Sequence, residues 1–300
     1  MKSLEQTLLR EAPGPLSASP LKFSLILATI NRTAELSNFL SHLDRQSYRN
    51  FELIVVDQNS DDRLLPVLTP YCDRFTIKHL RSARGLSQAR NVGLRQISGD
   101  IVAFPDDDCC YQAPRLEQIA TLLSEHSDWH GVVGKCTARQ AHFVLDQEIG
   151  FLDRFNLWGR TVSVSIFLKA SAVKLVGEFD ERLGSGSGSG FGGAEEIDYV
   201  LRAIEGNCRI HYEPDLIIDH PEIFVTYDDQ NIRKAYSYAR GMGYALKKHR
   251  YPMWYLAFYL LRPLGGAMLS LAGFSGPKAS YYWALLKGRL SGWRGIEESF

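Results

Sequence analysis

A chain of 300 residues with 45% hydrophobic content holds enough apolar material for one large α/β domain or two small ones, so disorder is not the default expectation. Lys plus Arg and Asp plus Glu each total 34, so no global field recruits nucleic acid and any basic surface has to be local. Five cysteines, Cys72, Cys109, Cys110, Cys136 and Cys208, form no C-x-x-C pair and no zinc spacing; they read as reduced, mostly buried thiols of a cytosolic protein. Met1–Pro20 is a polar, proline-bearing lead without the basic-then-apolar order of a secretory signal.

In chain order, Phe23–Ala28 reads as a strand, Thr33–Leu43 as a helix with Leu36, Phe39, Leu40 and Leu43 on one face, and Phe51–Val56 as a second strand ending at Asp57. Phe75–Leu80 is a weaker strand, Leu86–Ile97 a helix, Asp100–Phe104 a strand, and Pro114–Glu125 a helix entered through its proline. This rhythm predicts an α/β fold, a mostly parallel Rossmann-like sheet flanked by helices. Open sheets of this kind bind ligands beyond the carboxyl ends of their strands, where Thr29–Arg32, Asp57–Asn59 and Asp106–Asp108 all fall.

The second half changes character. Ser163–Lys169 reads as a strand, Leu183–Gly193 as a glycine and serine tract that flexes until a ligand orders it, and a short helix follows. Cys208–Asp219 is a strand interrupted at Pro214, and Asn231–Arg250 a helix rich in Lys and Arg. Tyr251–Phe274 is apolar and aromatic, but Arg262–Pro263 interrupts it near the middle, where charge is expensive in a bilayer. A C-terminal amphipathic helical extension is therefore expected to lie on a membrane surface without crossing it. Arg233, Lys234, Arg240, Lys247, Lys248 and Arg250 would meet headgroups, and Trp254, Tyr255 and Tyr259 the interface. A buried hairpin or an oligomer contact is the alternative.

The segment DIVAFPDDD, Asp100–Asp108, carries the first chemistry. Alternating side chains let Asp106 and Asp108 face the same way and offer hard oxygen ligands to Mg²⁺ or Mn²⁺ beside a diphosphate; a solvated acidic turn is the bland alternative. Asp57 either meets a base or ribose or caps the loop QNSDDR. Arg84 and Arg90 flank a helix N-terminus suited to phosphate, although Arg90 also reads as a surface arginine. His220, in IIDHPE, either completes a metal shell or is structural. In GGAEEIDYVLR, helical spacing puts Ile197, Val200, Leu201 and Ile204 on one face and Glu195, Asp198 and Arg202 on the opposite one, with Glu196 at the boundary. A carboxylate there is partly desolvated, and its raised proton affinity suits a general base; acids decorating a helix start are the alternative. Asp198 and Arg202, four apart, form a structural pair. A dinucleotide-binding fold is excluded because the first turn, ATINRTAE, has no glycine.

Taken in order, ATINR (Ala28–Arg32), ELIVVDQNS (Glu52–Ser60), RGLSQARNVGL (Arg84–Leu94), AFPDDDC (Ala103–Cys109) and GGAEEIDYVLR (Gly192–Arg202) resemble the family 2 nucleotide-sugar glycosyltransferases over Lys22 to His220. The resemblance implies a GT-A fold and inverting transfer from a nucleotide diphosphate sugar, held with Mg²⁺ or Mn²⁺, to a hydroxyl of a glycan or lipid-linked acceptor in polysaccharide assembly. It matches Thr29 and Asp57 to nucleoside contacts, Arg90 to the nucleotide pocket, Asp106 and Asp108 to the acidic metal motif and Glu196 to the catalytic base; beside these, Asn31, Arg32, Arg84, Asp106 and Asp107 are expected nucleotide-sugar contacts, His220 an expected metal ligand and Glu195 an expected helper in catalysis. The implied division is a lead at 1–21, a transferase domain at 22–222 split near 112 into nucleotide and acceptor halves, and a helical region at 223–300, in the cytoplasm at the inner face of the membrane.

Two positions depart from the family pattern. Gln58 stands where a second aspartate is usual, and Glu195–Glu196 where an acid–aspartate pair is usual, which shifts the basic oxygen by about 1.5 Å. Those departures support a catalytically silent sugar-nucleotide module as the first rival. A nucleotidyltransferase is the second, but it wants a glycine-rich basic loop that ATINR does not supply.

Overall fold

The computed structural model describes residues 20–137, 148–221 and 226–295. Strands β1 (Phe23–Thr29), β2 (Phe51–Asp57), β3 (Thr76–Arg81), β4 (Ile101–Ala103), β5 (Gly131–Cys136), β6 (Gly150–Phe151), β7 (Ile166–Lys169) and β8 (Ile210–Ile218) form one sheet in the order 3-2-1-4-7-5-8-6. β1 is parallel to β2 and β4, β2 to β3, and β5 to β8; β7 runs antiparallel between β4 and β5, and β6 antiparallel to β8. Both faces are covered, which is why β1 reads as a continuous apolar run: Ile26 enters one core layer with Ile54 and Val102, while Leu25 and Leu27 enter the other.

The helices are α1 (Ala34–Leu43), α2 (Leu65–Leu68), α3 (Leu86–Leu94), α4 (Arg115–Glu125), α5 (Leu157–Arg160), α6 (Ala170–Val176), α7 (Glu195–Glu205), α8 (Asp229–Lys248), α9 (Met253–Ala272) and α10 (Gly276–Arg294). Leu36 of α1 and Leu116 of α4 pack on one face of the sheet, and Ala89 of α3, Ala172 of α6 and Val200 of α7 on the other. The expected strands β1 to β4 are present, as are the expected helices α1, α3 and α4.

Three differences have local causes. Residues Ser163–Ser165 form a 3₁₀ turn, so β7 begins only at Ile166. β5 gave no sequence signal because two of its positions must be glycine: a Cβ on Gly131 would meet the Phe167 carbonyl at 2.7 Å, and one on Gly134 the Leu216 carbonyl at 2.2 Å. β8 is interrupted at Pro214 as expected, since its register against β5 jumps from Gly134–Glu213 to Lys135–Ile217.

Of the C-terminal helices, α8 packs on α7, and α10 packs against both α8 and α9. Asp228 caps α8, its carboxylate accepting from the Asn231 N–H at 2.8 Å. Arg262–Pro263 interrupts the apolar run, as expected, but α9 continues through it. Pro263 has no N–H, and the carbonyl thus freed, that of Tyr259, accepts instead from Arg289 of α10. The basic row expected on α8 is dispersed as well: Arg240 is fully buried, Lys248 pairs with Asp180 and Asp198, and Lys234 lines a cavity. The proposed 1–21 lead lies outside the described residues apart from Pro20 and Leu21, and the boundary at 222 falls on 222–225, also outside them.

α8 crosses the turn before α7 so closely that a Cβ on Gly241 would stand 2.0 Å from the Gly193 carbonyl. Gly241→Ala is expected to lower stability by about 1–3 kcal/mol, read from the midpoint of urea unfolding at unchanged slope, because helix and turn must separate.

Candidate active site

The carboxyl ends of β1, β2 and β4 open into a cavity of about 580 Å³, closed by the start of α7, the Ser185–Gly186 turn, and Lys234 and Tyr238 of α8. Past β4 the chain carries three aspartates across the end of β1, and each has a different fate. Asp107 turns into the wall, accepting from Thr29 Oγ1 at 2.5 Å and from Arg32 Nη1 at 2.9 Å. Asp106 and Asp108 gather with His220, their ligand atoms lying within 4.8 Å of one another. His220 Nε2 is 3.2 Å from Asp108 Oδ1, and Arg32 Nη1 is 2.5 Å from Asp108 Oδ2.

Burial raises the proton affinity of Asp106, with the Arg90 charge opposing it. Burial acts on Asp108 in the same sense, but bonds from His220 and Arg32 outweigh it and hold that carboxyl at about 2. Asp108 in turn pushes His220 above its ordinary value. Two carboxylates and an imidazole suit Mg²⁺ or Mn²⁺, which fill their remaining positions with water and phosphate oxygens. An imidazole must lose its proton to ligate, so a cation held by this cluster would bind more tightly as pH rises.

Asp57 is fully buried with its acceptor positions filled. Oδ1 accepts from the Asn59 N–H at 2.8 Å and from Asn59 Nδ2 at 2.7 Å; Oδ2 lies 3.0 Å from His79 Nε2 and 2.9 Å from Arg81. Gln58 lines the cavity in its place, with Oε1 accepting from the Gly85 N–H at 2.8 Å. Asn31, in the left-handed region at φ 60°, braces the same loop: its N–H donates to Asn59 Oδ1 and its own Oδ1 accepts from Arg63. Arg84 lines the cavity.

Arg90 is neither at the surface nor among the cavity-lining residues. Its guanidinium, 1% exposed, lies 5.8 and 5.6 Å from the ring centres of Phe104 and Phe179, donating to Glu195 at 3.2 Å and Asp106 at 3.4 Å. Both glutamates of α7 line the cavity. Ala194, left-handed at φ 69° and ψ 17°, sets the entry of the helix and aims Glu195 inward. Glu195 is buried, although the sequence places it on the polar face, while Glu196 at the face boundary is half-buried, as expected. Burial and then the Glu196 charge raise the proton affinity of Glu195 against Arg90, whose charge Asp106 shares.

The reason for that difference is that α7 is covered on both sides. Asp198, expected on a polar face, is fully buried between Arg202 Nε at 3.1 Å, Lys248 Nζ at 2.6 Å and His249 Nε2 at 2.9 Å. The Asp198–Arg202 pair forms as its spacing predicts. His249, which carried no sequence signal, also reaches Glu205 and so ties α7 to the end of α8. Lys234 and Tyr238 went unrecognised as cavity residues because only the docking of α8 brings them there.

The glycine and serine tract is also more structured than its composition suggests. Leu183 and Phe191 are buried and bridge each other, Ser87 Oγ donates to the Leu183 carbonyl, and the Leu86 N–H donates to the Ser185 carbonyl. Gly184, Gly186, Gly188 and Gly190 all have positive φ, so the glycines serve a compact turn.

A mostly parallel sheet carrying this acidic cluster at its carboxyl edge, roofed by α7 and α8, defines a GT-A glycosyltransferase fold. Residues 24–167, just under half of the chain, match the model of glycosyl transferase family 2. An uncharacterized glycosyltransferase of Haemophilus influenzae is 33% identical over 103 residues, 34% of this chain and 35% of that protein. The poly(ribitol-phosphate) beta-N-acetylglucosaminyltransferase TarS of Staphylococcus aureus is 31% identical over 111 residues, 35% of this chain and 19% of its own length. A PGL/p-HBAD biosynthesis glycosyltransferase of Mycobacterium tuberculosis is 32% identical over 130 residues, 42% of this chain and 50% of that protein. The chain thus spans half or less of the length of these relatives.

Among solved structures, the mannosyltransferase PcManGT of Pyrobaculum calidifontis, in complex with GDP-Man and Mn²⁺, superposes with a TM-score of 0.64 at 16% identity, over 95% of this chain and 92% of that one. S. aureus TarS 1–349 in complex with UDP-GlcNAc gives 0.58 at 19% identity, over 92% of each chain. Both likenesses concern the fold.

Removing one carboxylate from the cluster leaves a bound diphosphate less compensated. Asp108→Asn is expected to weaken nucleoside diphosphate binding in Mn²⁺ by about tenfold or more, measured by calorimetry, with little change when the metal is chelated. Unaltered metal-dependent affinity would rule out ligation by Asp108.

Proposed function

We propose that this chain is an inverting glycosyltransferase that moves a sugar from a nucleotide diphosphate sugar to an acceptor hydroxyl on a glycan or lipid-linked substrate. The observation that carries the reading is one cavity lined both by the Asp106, Asp108 and His220 cluster and by the two glutamates opening α7. A divalent cation bound by Asp106, Asp108 and His220 would neutralise diphosphate charge and so help the nucleotide depart. Gln58 and the loop braced by Asp57 and Asn31 face the nucleoside, and Arg84 adds positive charge for phosphate oxygens.

Glu196, half-buried in the cavity wall, accepts the proton of the acceptor hydroxyl. The oxygen so freed bonds to the anomeric carbon as the bond from that carbon to the diphosphate oxygen breaks, and one displacement inverts the centre. Glu195, whose raised proton affinity favours the neutral acid, positions donor or acceptor beside it. The relatives that carry UDP-GlcNAc or GDP-Man support a sugar-nucleotide donor. The five free thiols support a cytoplasmic setting.

Turnover of radiolabelled sugar nucleotides tests the reading. Glu196→Gln is expected to keep donor affinity and lose roughly 10²-fold or more in transfer. If Glu195→Gln abolishes transfer while Glu196→Gln stays active, the two roles are exchanged. Donor binding without turnover of any sugar nucleotide, with glycan and lipid-linked acceptors supplied, would leave the silent module in its place.

A further inference from the structure

We infer that the α9–α10 hairpin is a docking surface for an anionic lipid bilayer, entered by its tip and by the outer stripe of α9. A helix that is apolar all round belongs inside a protein or against another apolar phase. Apart from Arg262, α9 is almost wholly apolar, yet only 28% of its most apolar stretch is buried. Its inner side is fixed: Tyr255 and Leu256 enter the core, and Pro263, Ala267 and Ser270 are covered. Its outer side shows Trp254, Phe258, Leu261 and Met268 to solvent at steps of four, three and seven residues, which keep to one face, with Leu269 beside them, along a helix about 30 Å long. The stripe ends at the turn into α10, where Leu271 is 64% exposed and Phe274, in the left-handed region, 98%.

Charge selects the partner. From Gln230 to Ile296 the sequence has eleven Lys and Arg and no Asp or Glu, although the whole chain is neutral. Arg240 and Arg289 of this set are turned inward, but Arg250, Arg262 and Lys287 are exposed around the hairpin. A second copy meeting this face across a two-fold axis would set an acid-free basic surface against itself. Anionic headgroups above an acyl phase satisfy both the cations and the stripe. The domain packed behind α9 and the charge of Arg262 at mid-helix keep the hairpin at the interface and prevent it from spanning.

The test uses the intact chain with vesicles of phosphatidylcholine alone and of phosphatidylcholine mixed with phosphatidylglycerol. Flotation is expected with the mixed vesicles, with weakening as salt rises and little binding to the neutral ones. Arg262→Glu is expected to reduce partitioning roughly tenfold or more. The doubly substituted Leu269→Asp, Phe274→Asp chain is expected to lose it while keeping its thermal midpoint and nucleotide affinity, since both side chains lie outside the cavity. No flotation of the intact chain with the mixed vesicles overturns the inference. So does a dimer in lipid-free buffer that the double substitution dissociates, which would assign the stripe to a second copy.

Discussion

Arg90 is a cation inside the protein, and the site is assembled around its compensation. Removing a guanidinium from water is costly unless carboxylates and polarizable faces replace the solvent. Here Asp106 comes from beyond β4, Glu195 from the first turn of α7, and the rings of Phe104 and Phe179 flank the charge. One buried side chain therefore joins the acidic edge of the sheet to the helix that carries the proposed base. The separation between the aspartate wall and the α7 wall of the cavity is set by a strut that does not line the cavity itself. Losing either carboxylate would leave the guanidinium short of charge, so the two walls are coupled in stability as well as in position.

The same economy of charge governs the aspartate triplet. One carboxylate, Asp107, is committed to Thr29 and Arg32, which anchors the strip to β1. The other two are left facing the cavity with His220. Repulsion among adjacent acids is relieved by Arg32, Arg90 and His220, each from a different segment, so the cluster needs the fold before it can exist.

Legibility in the sequence followed the range of the forces involved. The strands β1, β2 and β4 and the helices α1, α3 and α4 announce themselves through local periodicity, and the convergence of Thr29, Gln58 and Asp106–Asp108 on one edge follows from parallel topology alone. β5 stayed hidden because Gly131 and Gly134 answer to carbonyls of neighbouring strands, which no local pattern records. Arg90 in RGLSQARNVG looks like any helix arginine until Asp106 and Glu195 close on it from 16 and 105 residues away. The same holds for Asp198 and His249: an acidic helix face becomes an interior one only when α8 arrives.

That arrival carries a consequence for what counts as the smallest working piece of this chain. Lys248 is a counterion of Asp198 and His249 a further polar partner, and both lie well beyond the last strand of the sheet. A protein cut near 222 would retain every strand and the whole acidic cluster, yet strand a buried carboxylate on α7 with Arg202 as its remaining ion-pair partner. It would also remove the roof formed by Lys234 and Tyr238. Breaking a buried pair of this kind typically costs about 3–5 kcal/mol, a large share of a domain's stability. The helical region after the sheet is thus a structural part of the candidate site, and the smallest piece that keeps both the sheet and the roof of its cavity runs at least to His249.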